Sequence, residues 1–281
     1  MQFTKMHGAG NDFVILDNRD SAIPAESLPA LARRLCEAHR SIGADGMMVV
    51  VGAVRGGDYG MLYFNRDGSL GEMCGNGARC ICRYGYEHGL AGERPRVETT
   101  AGLVTGERVD RQRWRVRLND PSVVDLHRAV TVDGTVYDCG YAELGEPGIP
   151  HAVVLLPTYE TWARESLRSL GRALRAADAF PRGANVSFVK PLGSGSVQAL
   201  TYERGVEDFT LACGTGCGAI ATVLALRGLT GGDSLTITMP GGELSVSLHR
   251  EGEKVRDLFL TGPTCLVCEG EVSEEMLAGI E

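Results

Sequence analysis

The chain has 281 residues, of which 43% are hydrophobic, 23% charged and 6% aromatic. This length accommodates about two domains that each bury a core, and the composition excludes disordered, collagen-like and coiled-coil proteins. The formal net charge of -8 disfavours nucleic acid or an anionic membrane as a partner, because either would require a basic surface. A small-molecule substrate is the better fit.

No basic segment followed by an apolar run opens the sequence, so we expect a cytoplasmic protein without a secretory signal. Residues 209–226 carry no charge. Their glycines favour a turn that leads into a short buried helix over a membrane span. Nine cysteines in such a chain argue against a disulfide framework, so catalysis or simple burial must explain them.

Hydrophobic periodicity and turn residues predict many strands and few helices, which together indicate an α+β protein. The predicted strands are residues 12–17, 47–51, 60–64, 96–100, 114–118, 152–156, 186–189, 197–202, 234–239 and 244–248. The predicted helices are residues 33–39, 78–88, 162–176 and 217–227. Gly89 and Gly228 directly follow the second and the fourth helix and are typical helix C-terminal signals.

The sequence repeats itself at an offset of 139 positions. Cys74 is followed by Gly-Asn-Gly and Cys213 by Gly-Thr-Gly, and the same offset relates Tyr63 to Tyr202. Because the offset is close to half the chain, we infer two copies of one domain, each presenting a cysteine at the same structural point.

A strand that runs into Asn119-Asp120-Pro121 marks the boundary between the copies, since proline favours an extended turn there. We expect an N-terminal lobe of residues 1–120, completed by residues 263–281, and a C-terminal lobe of residues 121–262. The cleft between two such lobes is the expected place for a substrate.

A cysteine directly before Gly-x-Gly at a helix start lies near unpaired backbone N–H groups and the positive end of the helix dipole. We therefore expect these groups to stabilise a thiolate at Cys74 and at Cys213. The same N–H groups can hold a carboxylate. Two opposed thiols can remove a proton from the carbon beside that carboxylate and return one to its other face, which inverts the centre.

A cofactor is not expected, because the sequence has only three lysines and none lies in a motif for a pyridoxal phosphate Schiff base. Burial in the core is the simplest interpretation of the other seven cysteines, which are Cys36, Cys80, Cys82, Cys139, Cys217, Cys265 and Cys268. Cys265 and Cys268 have the spacing of a metal site, but a structural zinc needs four ligands and no second pair is nearby, so we expect no metal.

Five motifs follow one another along the chain: residues 5–13, 64–69, 73–80, 202–205 and 212–216. In these segments the sequence resembles the diaminopimelate epimerase family, and the resemblance covers essentially the whole chain. Members of this family interconvert LL- and meso-diaminopimelate without a cofactor, on the route to lysine and peptidoglycan. The resemblance implies an isomerase of two similar, barrel-like β-rich lobes, each around a central helix, and a homodimer.

The resemblance also implies roles for individual residues. Cys74 and Cys213 are the acid/base pair, with Glu203 and His151 close to them and Glu203 also binding the substrate. Four residues are expected to hold the carboxylate at the reacting carbon: Gly75, Asn76, Gly214 and Thr215. Four more are expected to recognise the distal end of the substrate: Asn11, Asn65, Asn185 and Arg204.

Several of these residues, considered one at a time, also fit a purely structural role. Asn11 and Asn65 are typical turn residues, and Asn185 suits a loop hydrogen bond. Glu203 and Arg204 could form a solvated ion pair, and a histidine ahead of an apolar strand, such as His151, is more often a core residue than a catalytic one.

Three departures from the family pattern bear on which side chain the pocket accepts. Ile149 stands where the family often has asparagine, and residues 206–210 replace a usual Gly-Glu-Thr. Gly46 follows Asp45 where some members have glutamine.

Two other hypotheses remain open. The first is a racemase of the same architecture for another amino acid, such as histidine or, less favoured, proline. The second is a non-catalytic cysteine-rich protein that binds metal or senses redox state. The distal residues Asn65, Asn185 and Arg204 favour the epimerase, whereas Ile149 keeps the other racemase open.

Overall fold

A computed structural model describes residues 1–71, 75–156, 158 and 163–279. Cys74, and Trp162 at the predicted start of a helix, lie outside the described residues. The α-helices are α1 (Leu28–Leu35), α2 (Gly75–Glu87), α3 (Arg164–Arg175), α4 (Gly214–Leu226) and α5 (Glu274–Leu277), with a short 3-10 helix at Ala25–Ser27.

The strands of the first half of the chain are β1 (Gln2–Gly8), β2 (Asn11–Asp17), β3 (Gly46–Val51), β4 (Tyr59–Asn65), β5 (Arg96–Thr99), β6 (Gly102–Arg108), β7 (Arg113–Arg117) and β8 (Pro121–Val132). Those of the second half are β9 (Thr135–Leu144), β10 (Ile149–Leu155), β11 (Asn185–Gly193), β12 (Ser196–Glu203), β13 (Asp208–Phe209), β14 (Ser234–Met239), β15 (Gly242–Glu251), β16 (Lys254–Pro263) and β17 (Cys265–Glu271).

The chain divides into two compact units. Unit 1 consists of Met1–Val116 and Gly262–Glu281, and unit 2 of Arg117–Thr261. In unit 1 the strands pair in the order β17, β1, β2, β3, β4, β5, β6 and β7. In unit 2 the order is β8, β9, β10, β11, β12, β14, β15 and β16, and β13 adds to β12.

The two orders are the same, step by step. In unit 1, for example, β2 is antiparallel to β1 and parallel to β3. In unit 2, β10 is likewise antiparallel to β9 and parallel to β11. The 139-residue offset carries the start of α2 onto the start of α4 and the start of β3 onto that of β11. The duplication inferred from the sequence is therefore confirmed at the level of topology, as is the α+β class.

Parallel neighbours require a connection that crosses the sheet, and in each unit a helix makes it. In unit 2, α3 joins β10 to β11 and α4 joins β12 to β14. The helix α4 is buried on nearly every side and contacts strands across the sheet from β8 to β15, so the sheet curls around it. The amphipathic helix α3 contributes Leu167, Leu170 and Leu174 to a hydrophobic core cluster that also includes Val186 and Tyr202.

The predicted ends of the helices need three corrections. The first helix is α1 and not residues 33–39, because Pro29 fits its first turn while His39 has a φ of +68°, which a helix does not allow. The helices α2 and α4 begin three residues before the predicted starts at 78 and 217, so the glycines belong to the first turn of each helix.

The predicted C-terminal signals are confirmed. Gly89 and Gly228 have φ angles of +68° and +70°, in the left-handed region. The N–H of Leu90 donates to Gly85 O at 2.7 Å, and the N–H of Leu229 donates to Leu224 O at 2.8 Å, which is the Schellman arrangement in both copies.

All ten predicted strands are present, within a few residues at each end. Seven of the described strands were not predicted: β1, β6, β8, β9, β13, β16 and β17. Among them, β8 is mostly exposed and changes register against β9 between Asp125 and Arg128. Such a bulge breaks the period of two on which strand prediction depends.

Gly89→Ala should lower the free energy of unfolding by about 1–2 kcal/mol, the usual cost of a left-handed L-residue. A Cβ atom at Gly89 would meet nothing within 4 Å, so the cost comes from the backbone alone. Gly92→Ala is the matched control, because Gly92 also has open space but no positive φ. Denaturant unfolding of both variants measures the difference, and equal stabilities would contradict the prediction.

Candidate active site

In unit 1 four strand ends meet at one edge of the sheet. The strand β1 ends at Gly8 and β4 at Asn65, while β2 begins at Asn11 and β3 at Gly46. The pairing sets Gly8 opposite Asn11, and Gly46 opposite Asn65. Because β1 and β4 run against β2 and β3, the ends of the first pair lie beside the starts of the second.

The helix α2 starts at the same edge. A Cβ atom on Gly8 would lie 2.8 Å from the carbonyl oxygen of Asn76, in the first turn of α2. The structure therefore brings together four of the predicted residues of this unit: Asn11, Asn65, Gly75 and Asn76. The fifth, Cys74, directly precedes the helix in the sequence and lies outside the described residues.

Neighbouring side chains hold the two asparagines at the strand ends. Asn11 Nδ2 donates to Asp45 Oδ2 at 2.6 Å, and Asn65 Nδ2 donates to Ser69 Oγ at 2.9 Å. The backbone of Asn65 also closes a turn, since its carbonyl accepts from the N–H of Gly68 at 2.9 Å. The turn interpretation of Asn65 is therefore correct, and it leaves room for a binding role because Asn65 is half-buried at the edge.

Arg79, which was not among the predicted site residues, is completely buried in α2. Its Nη2 donates to Asn76 Oδ1 at 2.9 Å and its Nη1 to Gly75 O at 3.2 Å. A signal for it was present, because residues three and four positions apart on a helix are neighbours. The guanidinium places a positive charge beneath the first turn of α2.

Unit 2 repeats the arrangement of strand ends. The strand β9 ends at Leu144 opposite Ile149, the first residue of β10. Asn185, the first residue of β11, pairs with His151, and β12 ends at Glu203. His151 Nε2 lies 3.1 Å from Thr215 Oγ1, which fixes the first turn of α4 at this edge.

Cys213 is the N-cap residue of α4, with extended φ and ψ of -123° and 106°. The N–H of Gly216 donates to its Sγ at 3.4 Å, and Thr215 Oγ1 lies 3.8 Å from the same sulfur. Cysteine thus occupies the place that serine or aspartate usually takes at a helix start. Thr215 lies between the thiol and His151.

The thiolate expected at Cys213 is opposed by the surroundings of the sulfur. Burial raises the pKa of this thiol well above its usual value, and the nearby Glu203 raises it further. The hydrogen bonds from Gly216 and Thr215 act in the opposite direction but are outweighed. Desolvation of a fully buried thiol exceeds the benefit of the helix start, so Cys213 is protonated at neutral pH.

Hydrogen bonds hold the other predicted residues of unit 2 in place. Thr210 Oγ1 donates to Glu203 Oε1 at 2.5 Å. The backbone N–H of Arg204 donates to Asn185 Oδ1 at 2.8 Å, so Asn185 is a structural hydrogen-bonding residue as well as a site candidate. Arg204 is exposed, and its Nη1 donates to Arg182 O at 2.8 Å. Glu203 and Arg204 thus have separate hydrogen-bond partners, Thr210 and Asn185.

The three departures from the family pattern lie at or near the same edges of the two units. Ile149 is half-buried at the edge, and Val206 and Glu207 form the turn after β12, where Glu207 has a φ of +59°. Thr210, the last residue of that segment, is the one that holds Glu203. A side chain at Gly46 would meet Tyr63, because a Cβ atom there would lie 2.6 Å from the tyrosine hydroxyl oxygen.

Five of the seven other cysteines are buried as expected: Cys36, Cys80, Cys82, Cys139 and Cys217. Cys265 is only partly covered and Cys268 is exposed, so burial does not explain Cys268. Among the described residues, no group of three or more His, Cys, Asp or Glu side chains could hold a metal ion. No helix in this part of the chain has the length and apolarity needed to cross a membrane.

Two cavities lie away from the predicted catalytic and substrate-binding residues. One of about 370 Å³ is lined in part by Val132, Tyr137 and Ser169, and one of about 520 Å³ by residues that include Arg83 and Arg111. Neither contains a candidate residue. The candidate site is therefore defined by strand ends and helix starts and not by the size of a cavity.

His151 should make the stability of the protein depend on pH. Complete burial lowers the pKa of His151 from 6.5 to about 3, with a smaller effect from Arg204. Between these values the unfolded chain binds the proton and the folded chain does not, so the free energy of unfolding falls as the pH drops below 6.5. The slope from one such group is at most about 1.4 kcal/mol per pH unit.

Denaturant unfolding at pH 7, 6 and 5 measures this slope. His151→Gln should flatten it, whereas His249→Gln, at an exposed position, should leave it as in the wild type. Equal slopes for the wild type and His151→Gln would contradict the assignment of a buried neutral imidazole.

Comparison with known proteins agrees with this geometry. The sequence profile of the diaminopimelate epimerase family matches the chain twice, at residues 3–124 and 146–267. A diaminopimelate epimerase from Aquifex aeolicus is 38% identical, with 99% of both chains covered. One from Methanothrix thermoacetophila is 36% identical, over 100% of this chain and 99% of the relative.

Solved structures of lower identity share the fold. A hydroxyproline epimerase from Agrobacterium vitis has a TM-score of 0.69 at 19% identity and covers 96% of this chain and 91% of its own. A phenazine biosynthesis protein of the PhzF family from Bacillus anthracis has a TM-score of 0.69 at 16% identity, over 97% and 99%. These likenesses confirm the expected fold of two similar β-rich lobes. By the two profile matches and the full-length relatives, the chain belongs to the diaminopimelate epimerase family.

Proposed function

We propose that this protein is an isomerase that epimerises LL-diaminopimelate to meso-diaminopimelate, without a cofactor, by means of Cys74 and Cys213. The observation that carries the proposal is the first turn of α4, which is capped by the buried thiol of Cys213. His151, Asn185 and Glu203 lie at the same edge of the sheet. Family membership supports the substrate, and the duplicated Cys-Gly-x-Gly sequence supports a second thiol in the other unit.

The first turns of α2 and α4 are proposed to bind the carboxylate beside the reacting carbon. The N–H groups at a helix start have no partner within the helix and point outward, so they suit an anion. Gly75 and Gly214 allow close approach because they lack a side chain. Asn76 and Thr215 add polar side chains at the equivalent positions, 139 residues apart.

The raised pKa of Cys213 supports one direction of proton transfer. Because Cys213 is a thiol, Cys74 is the thiolate that removes the α-proton from the LL substrate in this proposal. The C–H electron pair becomes part of a planar carbanion stabilised by the bound carboxylate. Cys213 then gives its S–H proton to the opposite face, which leaves a Cys74 thiol, a Cys213 thiolate and the inverted carbon.

Glu203 and His151 are proposed to support this exchange. The negative charge of Glu203 favours the protonated form of Cys213, and the same carboxylate can bind an ammonium group of the substrate. His151 is neutral and lies against Thr215, so it can accept a hydrogen bond without adding charge to the site. Both side chains are fixed before substrate binds, which reduces the reorganisation needed in the transition state.

The distal amino-acid end of the substrate is assigned to Asn11, Asn65, Asn185 and Arg204. Arg204 is a guanidinium fork suited to a carboxylate. The amide oxygen of Asn185 is occupied by the Arg204 N–H, so its NH₂ group is the part that can donate to the same carboxylate.

The arrangement of the whole protein follows from the same resemblance. We propose an N-terminal lobe of residues 1–120 with 263–281, a C-terminal lobe of residues 121–262, and a homodimer that works in the cytoplasm. A racemase for another amino acid, such as histidine, is the second candidate. The apolar Ile149 at the edge of unit 2 is the observation that favours it.

The proposed activity is tested by incubating the protein with LL-diaminopimelate in deuterated water with no added cofactor. We expect deuterium at one α-carbon and conversion to the meso form. Exchange with histidine, but none with diaminopimelate, would overturn the substrate and favour the second candidate.

Cys74→Ala and Cys213→Ala should each lower turnover by at least about 100-fold, the scale of general acid–base catalysis. Cys268→Ala is the control, because this exposed cysteine has no proposed role. Full activity in either of the first two variants would overturn the two-base mechanism.

Arg79→Lys tests the support beneath the carboxylate site. A lysine keeps the charge but cannot reproduce the two directed bonds of the guanidinium to Asn76 and Gly75. We expect kcat/KM for LL-diaminopimelate to fall about tenfold, the scale of one charged hydrogen bond.

The matched control is Arg83→Lys in the same helix. Arg83 is also buried, but it bonds to Glu87 and Thr264 and not to the first turn. If both variants lose equal stability and equal activity, Arg79 has only a structural role.

A further inference from the structure

One position at the candidate edge differs between the two units. Gly46 begins β3 and Asn185 begins β11, at the 139-residue offset, and each pairs with a residue of the parallel strand before it, Gly46 with Phe13 and Asn185 with His151. In unit 2 the position carries an amide, which we have assigned to the substrate. In unit 1 it carries no side chain at all.

The ring of Tyr63 takes up the space beside Gly46. A Cβ atom on Gly46 would lie 2.6 Å from the Tyr63 hydroxyl oxygen, a separation that real Cβ atoms do not show. On its other side the ring faces Gly71, where a Cβ atom would lie 2.7 Å from Cδ1 and 2.8 Å from Cε1. Tyr63 and a side chain at position 46 or 71 therefore exclude each other.

Unit 2 has the opposite combination. Strand pairing makes Thr201 the counterpart of Tyr63, one residue before Tyr202, the position that the 139-residue offset gives. Tyr63 pairs with Met48, two residues after Gly46, and Thr201 pairs with Ser187, two residues after Asn185. Thr201 is small, completely buried and hydrogen bonded to Ser187 at 2.9 Å. A small residue thus accompanies the amide in unit 2, whereas a large phenol accompanies the glycine in unit 1.

The phenol of Tyr63 lies among the candidate residues of unit 1. Tyr63 and Asn65 are two positions apart on β4 and so share one face of the strand. A Cβ atom on Gly71 would lie near both the ring of Tyr63 and Nδ2 of Asn65, at 2.7 Å and 3.1 Å. The ring meets the buried Phe13 edge-on, with centroids 6.1 Å apart, and Tyr63 itself is only half-buried.

We propose that Tyr63 is a specificity-determining residue of this protein that contacts the distal end of the substrate. This inference rests on the proposed function. The hydroxyl group supplies the polar contact that an amide supplies at the equivalent place in unit 2, and the ring face packs against the methylene groups of the substrate. The hydroxyl can both donate and accept a hydrogen bond, so it suits an end that carries a carboxylate and an ammonium group.

Tyr63→Phe removes the hydroxyl and keeps the ring between the two glycines. We expect KM for LL-diaminopimelate to rise about tenfold with kcat little changed, because the lost bond is remote from the reacting carbon and acts in ground state and transition state alike. Tyr137→Phe is the control, since it removes a hydroxyl from a half-buried tyrosine on β9. An unchanged KM in Tyr63→Phe would overturn the proposal.

An exchange of the two side chains provides a second test. Gly46→Asn should be destabilised by collision with the ring, and Tyr63→Thr should raise KM. The double variant combines the amide with the small residue, as in unit 2. A Cβ atom at position 46 would still lie 2.8 Å from the backbone oxygen of Phe64, so the double variant should recover only part of the stability lost in Gly46→Asn. Its KM should return to within a few-fold of the wild type. A double variant whose KM stays as high as that of Tyr63→Thr would show that position 46 does not face the substrate and would overturn the proposal.

The failure of this inference is distinct from failure of the proposed function. If the wild-type protein exchanges LL-diaminopimelate and Tyr63→Phe has the same KM, only the role of Tyr63 is wrong. If the wild-type protein shows no exchange with that substrate, the proposed function is wrong, and with it the basis of this inference.

Discussion

The parallel crossover in each unit is the constraint on which the candidate site depends. The strand β4 is parallel to β5 and β12 is parallel to β14, so α2 and α4 must run back along the sheet between them. A helix in such a connection starts near the carboxyl end of the preceding strand. The free N–H groups of its first turn are thereby brought beside the last residues of that strand, Asn65 in one unit and Glu203 in the other.

The electrostatics at Cys213 show how burial and backbone dipoles compete. The helix start and the hydrogen bond from Gly216 both favour the thiolate, and sequence reasoning counts only these effects. Removal of water from the sulfur and the charge of Glu203 act the other way and outweigh them. The same burial keeps His151 neutral.

The two central helices have diverged after the duplication. The helix α2 carries the buried Arg79 at the position where α4 has Gly218, 139 residues later. A side chain at Gly218 would collide with Leu144 and Leu118, which pack closely against α4. The two central helices therefore have different interiors: one is charged beneath its first turn and the other is apolar. Identical topology has accommodated two chemically different halves.

The sequence by itself determined the duplication, the family, all ten of the strands that it predicted and the glycines that end the central helices. Each of these depends on a local pattern or on repeated motifs, which can be recognised in the sequence without knowledge of tertiary contacts. The starts of α2 and α4 were predicted three residues too late, because glycine is a typical turn residue, although the first turn of a helix tolerates it. Strands such as β8 were missed because bulges and exposure remove the alternation that marks a strand.

Only the tertiary structure decided which groups hold the candidate residues in place. Three contacts join side chains whose positions depend on strand register and helix packing: Arg79 with Asn76, Asp45 with Asn11, and Thr210 with Glu203. The position of the Tyr63 ring beside Gly46 depends on the same register. The protonation of Cys213 was decided in the same way. Desolvation depends on how completely the surrounding chain excludes water, and no local sequence pattern contains that information.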